Sequence, residues 1–216
     1  MRHIPHLYLG GAWDDASLFL SPEQAHHLER VLRIGSGAAV TYTDGRGRIG
    51  QGSYRGGEVI RGEESTVGRP NQLSFAVAPP ANRDRSRFLV EKLAELGVAR
   101  LQWLDTRHGE GKVPSAEKAS GWAVGALEQS RGAWLTEVGT EMVKWSDLER
   151  PLAIAAPGGD YEPIEVITMA IGPEGGWDPA ELPGDAGLVD LGPTILRVET
   201  AAVVAASRFG RPWHGA

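Results

Sequence analysis

The sequence predicts an α/β protein in two parts: a small all-β unit over residues 1–70, then a larger unit over 71–216 with a mostly parallel sheet flanked by helices. Three observations carry this. Up to about residue 70, short β-prone segments are punctuated by glycine. Beyond it, apolar runs of strand length alternate with amphipathic helical stretches. Near the C-terminus, two glycine-bearing loops each follow a predicted strand.

In the first part the strands are expected over Ala38–Thr43, Ile49–Tyr54 and Glu58–Arg61, with Asp44-Gly45 and Gly56-Gly57 as turns, which makes a small barrel or sandwich. One helix interrupts them. Ser21 is placed to cap it, Pro22 suits its first turn, Gln24 completes a capping box, and the helix is expected to reach about Leu32. Gly68-Arg69-Pro70-Asn71 marks the boundary.

In the second part Leu73–Ala78 reads as a buried strand, and 84–96 as a helix with Phe88, Leu89, Leu93 and Leu96 on one face, ended by Gly97. Val98–Leu104 follows as a strand. Ser115 opens a helix whose Ala119, Trp122, Ala123, Ala126 and Leu127 form a stripe. Strands are then expected over 136–142, 152–156 and 166–171. Asp178 is expected to start a short helix, Leu188–Leu191 a strand, and Glu199–Phe209 a helix apolar on nearly all sides, hence buried.

Composition narrows the function. The absence of cysteine excludes disulfides, thiolate zinc sites and a cysteine nucleophile, and is consistent with a reducing, cytoplasmic location. No signal-like leader and no long apolar run is seen, so no membrane association is expected. Net charge is −6, and the acidic excess lies beyond residue 70, so any nucleic-acid contact must be local and not a general coating.

Two segments carry chemistry. Ile171-Gly172-Pro173-Glu174-Gly175-Gly176 follows one predicted strand, where open α/β sheets place ligand loops. Leu191-Gly192-Pro193-Thr194-Ile195-Leu196-Arg197 follows another and leads into the last helix through Arg197-Val198-Glu199-Thr200. Read singly, each fits an ordinary turn as well. Read together, neighbouring strand ends build one pocket. By contrast Gly45-Arg46-Gly47-Arg48-Ile49-Gly50 matches Gly-x-Gly-x-x-Gly, but no helix can follow it, so it reads as a hairpin.

With Trp177 and Ala201 added, these two segments resemble the RsmE family, the small-subunit ribosomal RNA uridine N3-methyltransferases of the SPOUT superfamily. His26-His27-Leu28 with Arg30-Val31-Leu32-Arg33, Glu91-Lys92-Leu93-Ala94-Glu95-Leu96-Gly97-Val98 and Glu128-Gln129-Ser130 extend the likeness in order. It implies a PUA-like β-barrel for RNA contact, then a SPOUT domain with a trefoil knot, acting as a homodimer. The implied cofactor is S-adenosylmethionine, held by Ile171, Gly172, Pro173, Glu174, Gly175, Gly176, Leu191, Gly192, Ile195, Leu196, Arg197 and Thr200, with Ala156-Pro157-Gly158 as a weaker candidate loop. The implied substrate is a uridine of 16S ribosomal RNA, reached within the assembled small subunit. The chain departs from the family pattern at Ala81-Asn82-Arg83-Asp84-Arg85, at Arg107-His108, at Val198 and at Arg131.

Uridine N3 attacks only after losing its proton, so Arg197 is assigned to stabilise the developing negative charge and Glu199 to accept the proton. Candidate RNA contacts are Arg2, Arg83, Arg85, Arg107, Arg131, and the set His26, Arg30 and Arg33, spaced to share a helical face. No metal site is predicted, since His26 and His27 are adjacent and no carboxylate completes a set. Two alternatives stay open: a SPOUT enzyme with another RNA target, and a noncatalytic RNA-binding module.

Overall fold

The structure is a computed structural model that describes residues 4–69, 71–160 and 166–210. It divides into two units: residues 1–69 with 127–135, and residues 70–126 with 136–216.

The first unit is a five-stranded sheet in the order β1-β3-β4-β5-β2, from β1 (His6–Tyr8), β2 (Ser17–Phe19), β3 (Ala39–Thr43), β4 (Arg48–Arg55) and β5 (Glu58–Thr66). β1 is parallel to β3, and the other pairs are antiparallel. Leu7, Leu18, Leu28, Val40, Tyr42, Tyr54 and Val59 form its core around Trp13. The Gly-x-Gly-x-x-Gly stretch is the β3–β4 hairpin, where one Asp44 oxygen accepts from the backbone N–H groups of Arg46 and Arg48.

The helix of this unit keeps its predicted start and changes its end. Ser21 and Gln24 form the reciprocal capping box of α1 (Pro22–His26). The chain continues as one π-helical turn over His27–Val31, and Arg33 then takes a left-handed φ of 53°. The expected common face of His26, Arg30 and Arg33 is therefore broken, because Arg33 lies past the helix.

The second unit is a six-stranded, wholly parallel sheet in the order β11-β9-β10-β6-β7-β8. Its strands are β6 (Ser74–Val77), β7 (Arg100–Leu104), β8 (Glu137–Val143), β9 (Leu152–Asp160), β10 (Thr168–Ile171) and β11 (Gly187–Val189). β6 and β10 lie side by side at the centre and every residue in them is buried, as expected of strands covered on both faces. The helices are α2 (Arg83–Glu95), α3 (Ala116–Ser130) and α4 (Val198–Phe209). α4 packs on α2, β10 and β6 and buries Val198, Glu199, Ala201, Ala202, Ala205 and Ala206, as its small and apolar sequence requires.

Two local expectations fail for identifiable reasons. On α2 the buried face is Leu89, Val90, Leu93 and Ala94, while Phe88 and Leu96 are exposed. The expected helix at Asp178 is a single turn: the Asp178 N–H donates to the Glu181 side chain and the Asp178 side chain accepts from the Ala180 N–H, but Pro183 lacks an N–H and disfavours helical angles at Leu182.

Candidate functional site

β10 ends at Ile171, and the chain turns through Gly172–Gly176 into Trp177. The Trp177 indole N–H donates to the Ala155 carbonyl on β9 at 2.9 Å, which lays its ring over Gly172 so closely that a Cβ there would come within 2.8 Å of it. β11 ends at Val189, and Asp190 then fixes the second loop. One carboxylate oxygen accepts from Gly192 N–H and the other from Gly158 N–H near the end of β9, both at 2.9 Å. Those backbone bonds, Gly192 first, hold the Asp190 carboxyl below its ordinary range.

The two loops therefore meet, and they line one cavity of about 240 Å³. Its walls are Ala155, Ala156 and Pro157; Ile171, Gly172, Pro173, Glu174, Gly176 and Trp177; Asp190, Leu191, Gly192, Thr194, Ile195 and Leu196; and Val198 and Ala201 of α4. Of the cofactor residues expected from the sequence, Gly175, Arg197 and Thr200 are not in this wall. Gly175 lines an adjoining hollow of about 640 Å³ that shares Pro173, Glu174 and Val198 with the cavity. Arg197 and Thr200 line another hollow, which shares Ile195 and Leu196 with it. Sequence reasoning missed Trp177 and Asp190 as site residues, although each directly abuts a predicted loop. Val198 and Ala201 stood in the second motif without being assigned to the site, and Ala155 gave no signal apart from its apolar character.

A guanidinium holds the wall together. Arg85, in the first turn of α2, donates from Nε and Nη2 to the two oxygens of Glu199 at 3.0 and 2.8 Å, and from Nη1 to Glu174. This corrects two assignments. Arg85 is committed to two carboxylates, so it is not a free RNA contact. The Glu199 carboxylate is taken up by Arg85 and is only 8% exposed; although burial opposes its ionisation, the Arg85 bonds and charge, with a backbone hydrogen bond and the Arg197 charge, hold its carboxyl below the ordinary range, which argues against the proton-acceptor role. Arg197, at the N-cap of α4, is exposed and its side chain makes no hydrogen bond among the described residues.

The loop after β7 docks on the loop after β10. Arg107 donates from its backbone N–H to Glu181 at 3.0 Å and from Nη1 to Asp178 at 2.9 Å, and His108 Nδ1 lies 3.1 Å from the Gly176 carbonyl. Arg107, His108, Glu110 and Gly111 line the 640 Å³ hollow together with Pro79-Pro80-Ala81, on which Gly111 packs directly. Of the other RNA candidates, Arg83 is exposed at the start of α2, His26 and Arg30 are exposed on the first unit's helix, and Arg131 donates to the Ile4 carbonyl at 2.9 Å. Arg2 lies outside the described residues. Among the described residues no three His, Asp or Glu side chains converge as a metal site would require, and no helix is long and apolar enough to cross a membrane.

The cavity's chemistry is that of a holder. Its two carboxylates are both engaged, Asp190 by backbone and Glu174 by Arg85, which leaves Thr194 as its only hydroxyl and no nucleophile. Such a site orients a ligand that brings its own reactive group.

Comparison with known proteins agrees. Residues 68–210 match a family model described as an RNA methyltransferase domain. The chain is 27% identical over 226 positions to the Synechocystis protein named ribosomal RNA small subunit methyltransferase E, covering 90% of this chain and 73% of that one. A Porphyromonas gingivalis structure described as a probable rRNA-methyltransferase superposes with a TM-score of 0.81 at 25% identity, covering 94% of this chain and 96% of that one. A Legionella pneumophila methyltransferase structure, solved with the bound cofactor SAM, does so with a TM-score of 0.80 at 26% identity, covering 95% and 96%.

Proposed function

This chain belongs to the RNA methyltransferase family, and from that premise we propose that it transfers a methyl group from S-adenosylmethionine to N3 of a uridine in 16S ribosomal RNA, within the small ribosomal subunit. One observation carries the reading: the loops 172–176 and 190–196, from the ends of β10 and β11, the parallel strands that flank β9, wall a single cavity that has no nucleophile of its own. The fit to the cofactor is supported at Gly176 and Gly192. Both line the cavity with left-handed φ values of 77° and 141°, and a Cβ at either would meet no protein atom within 4 Å, so the backbone there is open to a ligand. Ile171, Leu196, Val198 and Ala201 offer the apolar surface against which a purine would lie.

When bound, the cofactor supplies an electrophilic sulfonium methyl. The protein's work is alignment and electrostatics. Asp190 and Trp177 fix the two loops, Arg85 ties the Glu174 end of the first loop to α4, and Glu199 serves as the anchor of that tie. Arg197 remains the cation proposed to stabilise negative charge on the uridine ring, reached across the shared Ile195–Leu196 edge. A homodimer is part of the proposal: Ile195 is 85% exposed and Phe88 43% on the Arg197 side, a surface for a second copy to cover. Also proposed are closure of the first unit as a PUA-like barrel for RNA contact, a cytoplasmic location, and a trefoil knot. The knot is supported by the path of the chain, which passes from β10 over β9 to β11 and returns to α4 against β10 and β6.

The test has two parts. Calorimetry with S-adenosylmethionine should show binding, and its absence would leave a noncatalytic RNA-binding protein. Nucleoside mass spectrometry of RNA from a deletion strain should show loss of 3-methyluridine from 16S RNA alone; loss of another modified nucleoside overturns the target. Arg197→Ala is expected to lower turnover about 100-fold with cofactor affinity retained. Full turnover would remove Arg197 from the mechanism.

A further inference from the structure

The 640 Å³ hollow beside the cavity continues into a third, of about 410 Å³, through the shared residues Pro80, Ala81 and Glu110. This third hollow lies between the start of α2 and the start of α3. Arg83, Lys112 and Lys118 line it, and Glu110 is its one carboxylate. None of the three cations has a hydrogen-bond or ion-pair partner among the described residues, whereas Arg85, Arg87, Lys92, Arg100 and Arg107 are all paired. Trp122 of α3, half-buried, also lines it, and among the described residues its indole N–H makes no hydrogen bond and its ring no aromatic or cation–π pair.

In a chain of net charge −6, three unpaired cations around one hollow are a local exception that needs a partner. Cations beside an indole match a single-stranded nucleic acid, whose phosphates meet the charges and whose bases stack on the ring. We propose that this hollow binds the RNA strand flanking the target nucleotide, with Arg83, Lys112 and Lys118 on phosphates and Trp122 under a base. The strand then reaches the cofactor cavity through the 640 Å³ hollow. Arg107, already paired to Asp178, shapes that passage, and Arg83 is joined by two lysines and an aromatic that sequence reasoning did not single out. The inference rests on reading the cavity as a methyl-transfer site, and its test separates the two.

The measurement is fluorescence anisotropy of a labelled single-stranded RNA oligomer against the full-length protein over a series of KCl concentrations, alongside S-adenosylmethionine calorimetry. For K112Q/K118Q the slope of log affinity against log salt should fall by about 1 per lysine. K112R/K118R should restore it. Trp122→Ala should weaken binding about tenfold at every salt concentration without changing the slope. Cofactor affinity should not move in any of these. Failure of the wild type to bind the oligomer, an unchanged slope in K112Q/K118Q, or equal competition by polyglutamate would overturn the inference while leaving cofactor binding as evidence for the catalytic reading. A wild type without cofactor heat but with the lysine-dependent slope would overturn the catalytic reading and keep the strand site.

Discussion

The chain carries two glycine-rich stretches after strands, and they do opposite things. At 45–50 the glycines make room for the protein's own aromatic rings: a Cβ on Gly47 would lie 2.5 Å from Trp134, and one on Gly50 would lie 2.4 Å from Tyr42. At Gly176 and Gly192 the backbone instead borders open space, in left-handed conformations with no protein atom within 4 Å of a built Cβ, whereas Gly172 is closed by Trp177 and Gly175 by His108. The motif pattern does not separate a structural glycine from a ligand-binding one. At Gly47 and Gly50 the missing side chain would strike an aromatic ring, and at Gly176 and Gly192 it would not.

That contrast can be broken most directly at Gly47. Gly47→Ala combines a φ of 100° with a collision against Trp134, and should cost about 3 kcal/mol in urea unfolding while leaving cofactor affinity of the folded protein intact. Loss of cofactor affinity without loss of stability would erase the distinction. Next comes Arg85→Ala, which strands the buried Glu199 and frees Glu174. About 2 kcal/mol of stability should go, together with a raised KM for S-adenosylmethionine, and Arg85→Lys should recover only part because it cannot span both Glu199 oxygens. Gly192→Ala should reverse the Gly47 pattern: about 1 kcal/mol of backbone strain, with cofactor affinity down about tenfold or more. Equal effects on both measurements would argue that Gly192 is merely structural.

The smallest effect is one of pH. His6 in the first unit is held below its ordinary value of 6.5, chiefly by burial and further by the nearby Arg131 charge, against the opposing bond to the Gly132 carbonyl. The folded state therefore favours the neutral ring. Stability is complete above pH 6.5 and declines as pH falls below it, a slope that His6→Gln should flatten. Thermal melts across pH 5 to 7 read this directly, taking about the ordinary histidine range as the window.

Much of the architecture was legible in residue patterns. After Ser74 and Thr168, β6 and β10 are apolar throughout, as strands covered on both faces require, and α4 announces its burial through Ala201, Ala202, Ala205 and Ala206. The two loops were legible because glycine and proline cluster there. The failures came where a remote partner decided the outcome. Arg85 looked like a free cation until Glu174 and Glu199, far along the chain, closed on it. Arg33 looked helical until a π turn ended the helix before it. Residues 127–135 group with the N-terminal unit through bonds such as Trp134 to Val67, a long-range pairing that no local composition reports.

The Arg85 tie has a consequence for folding. Its carboxylate on α4 lies 114 residues beyond the guanidinium, so a chain folded only as far as α2 carries an uncompensated guanidinium and a first loop without its clasp. Until α4 docks, the cavity lacks the wall that Val198 and Ala201 supply.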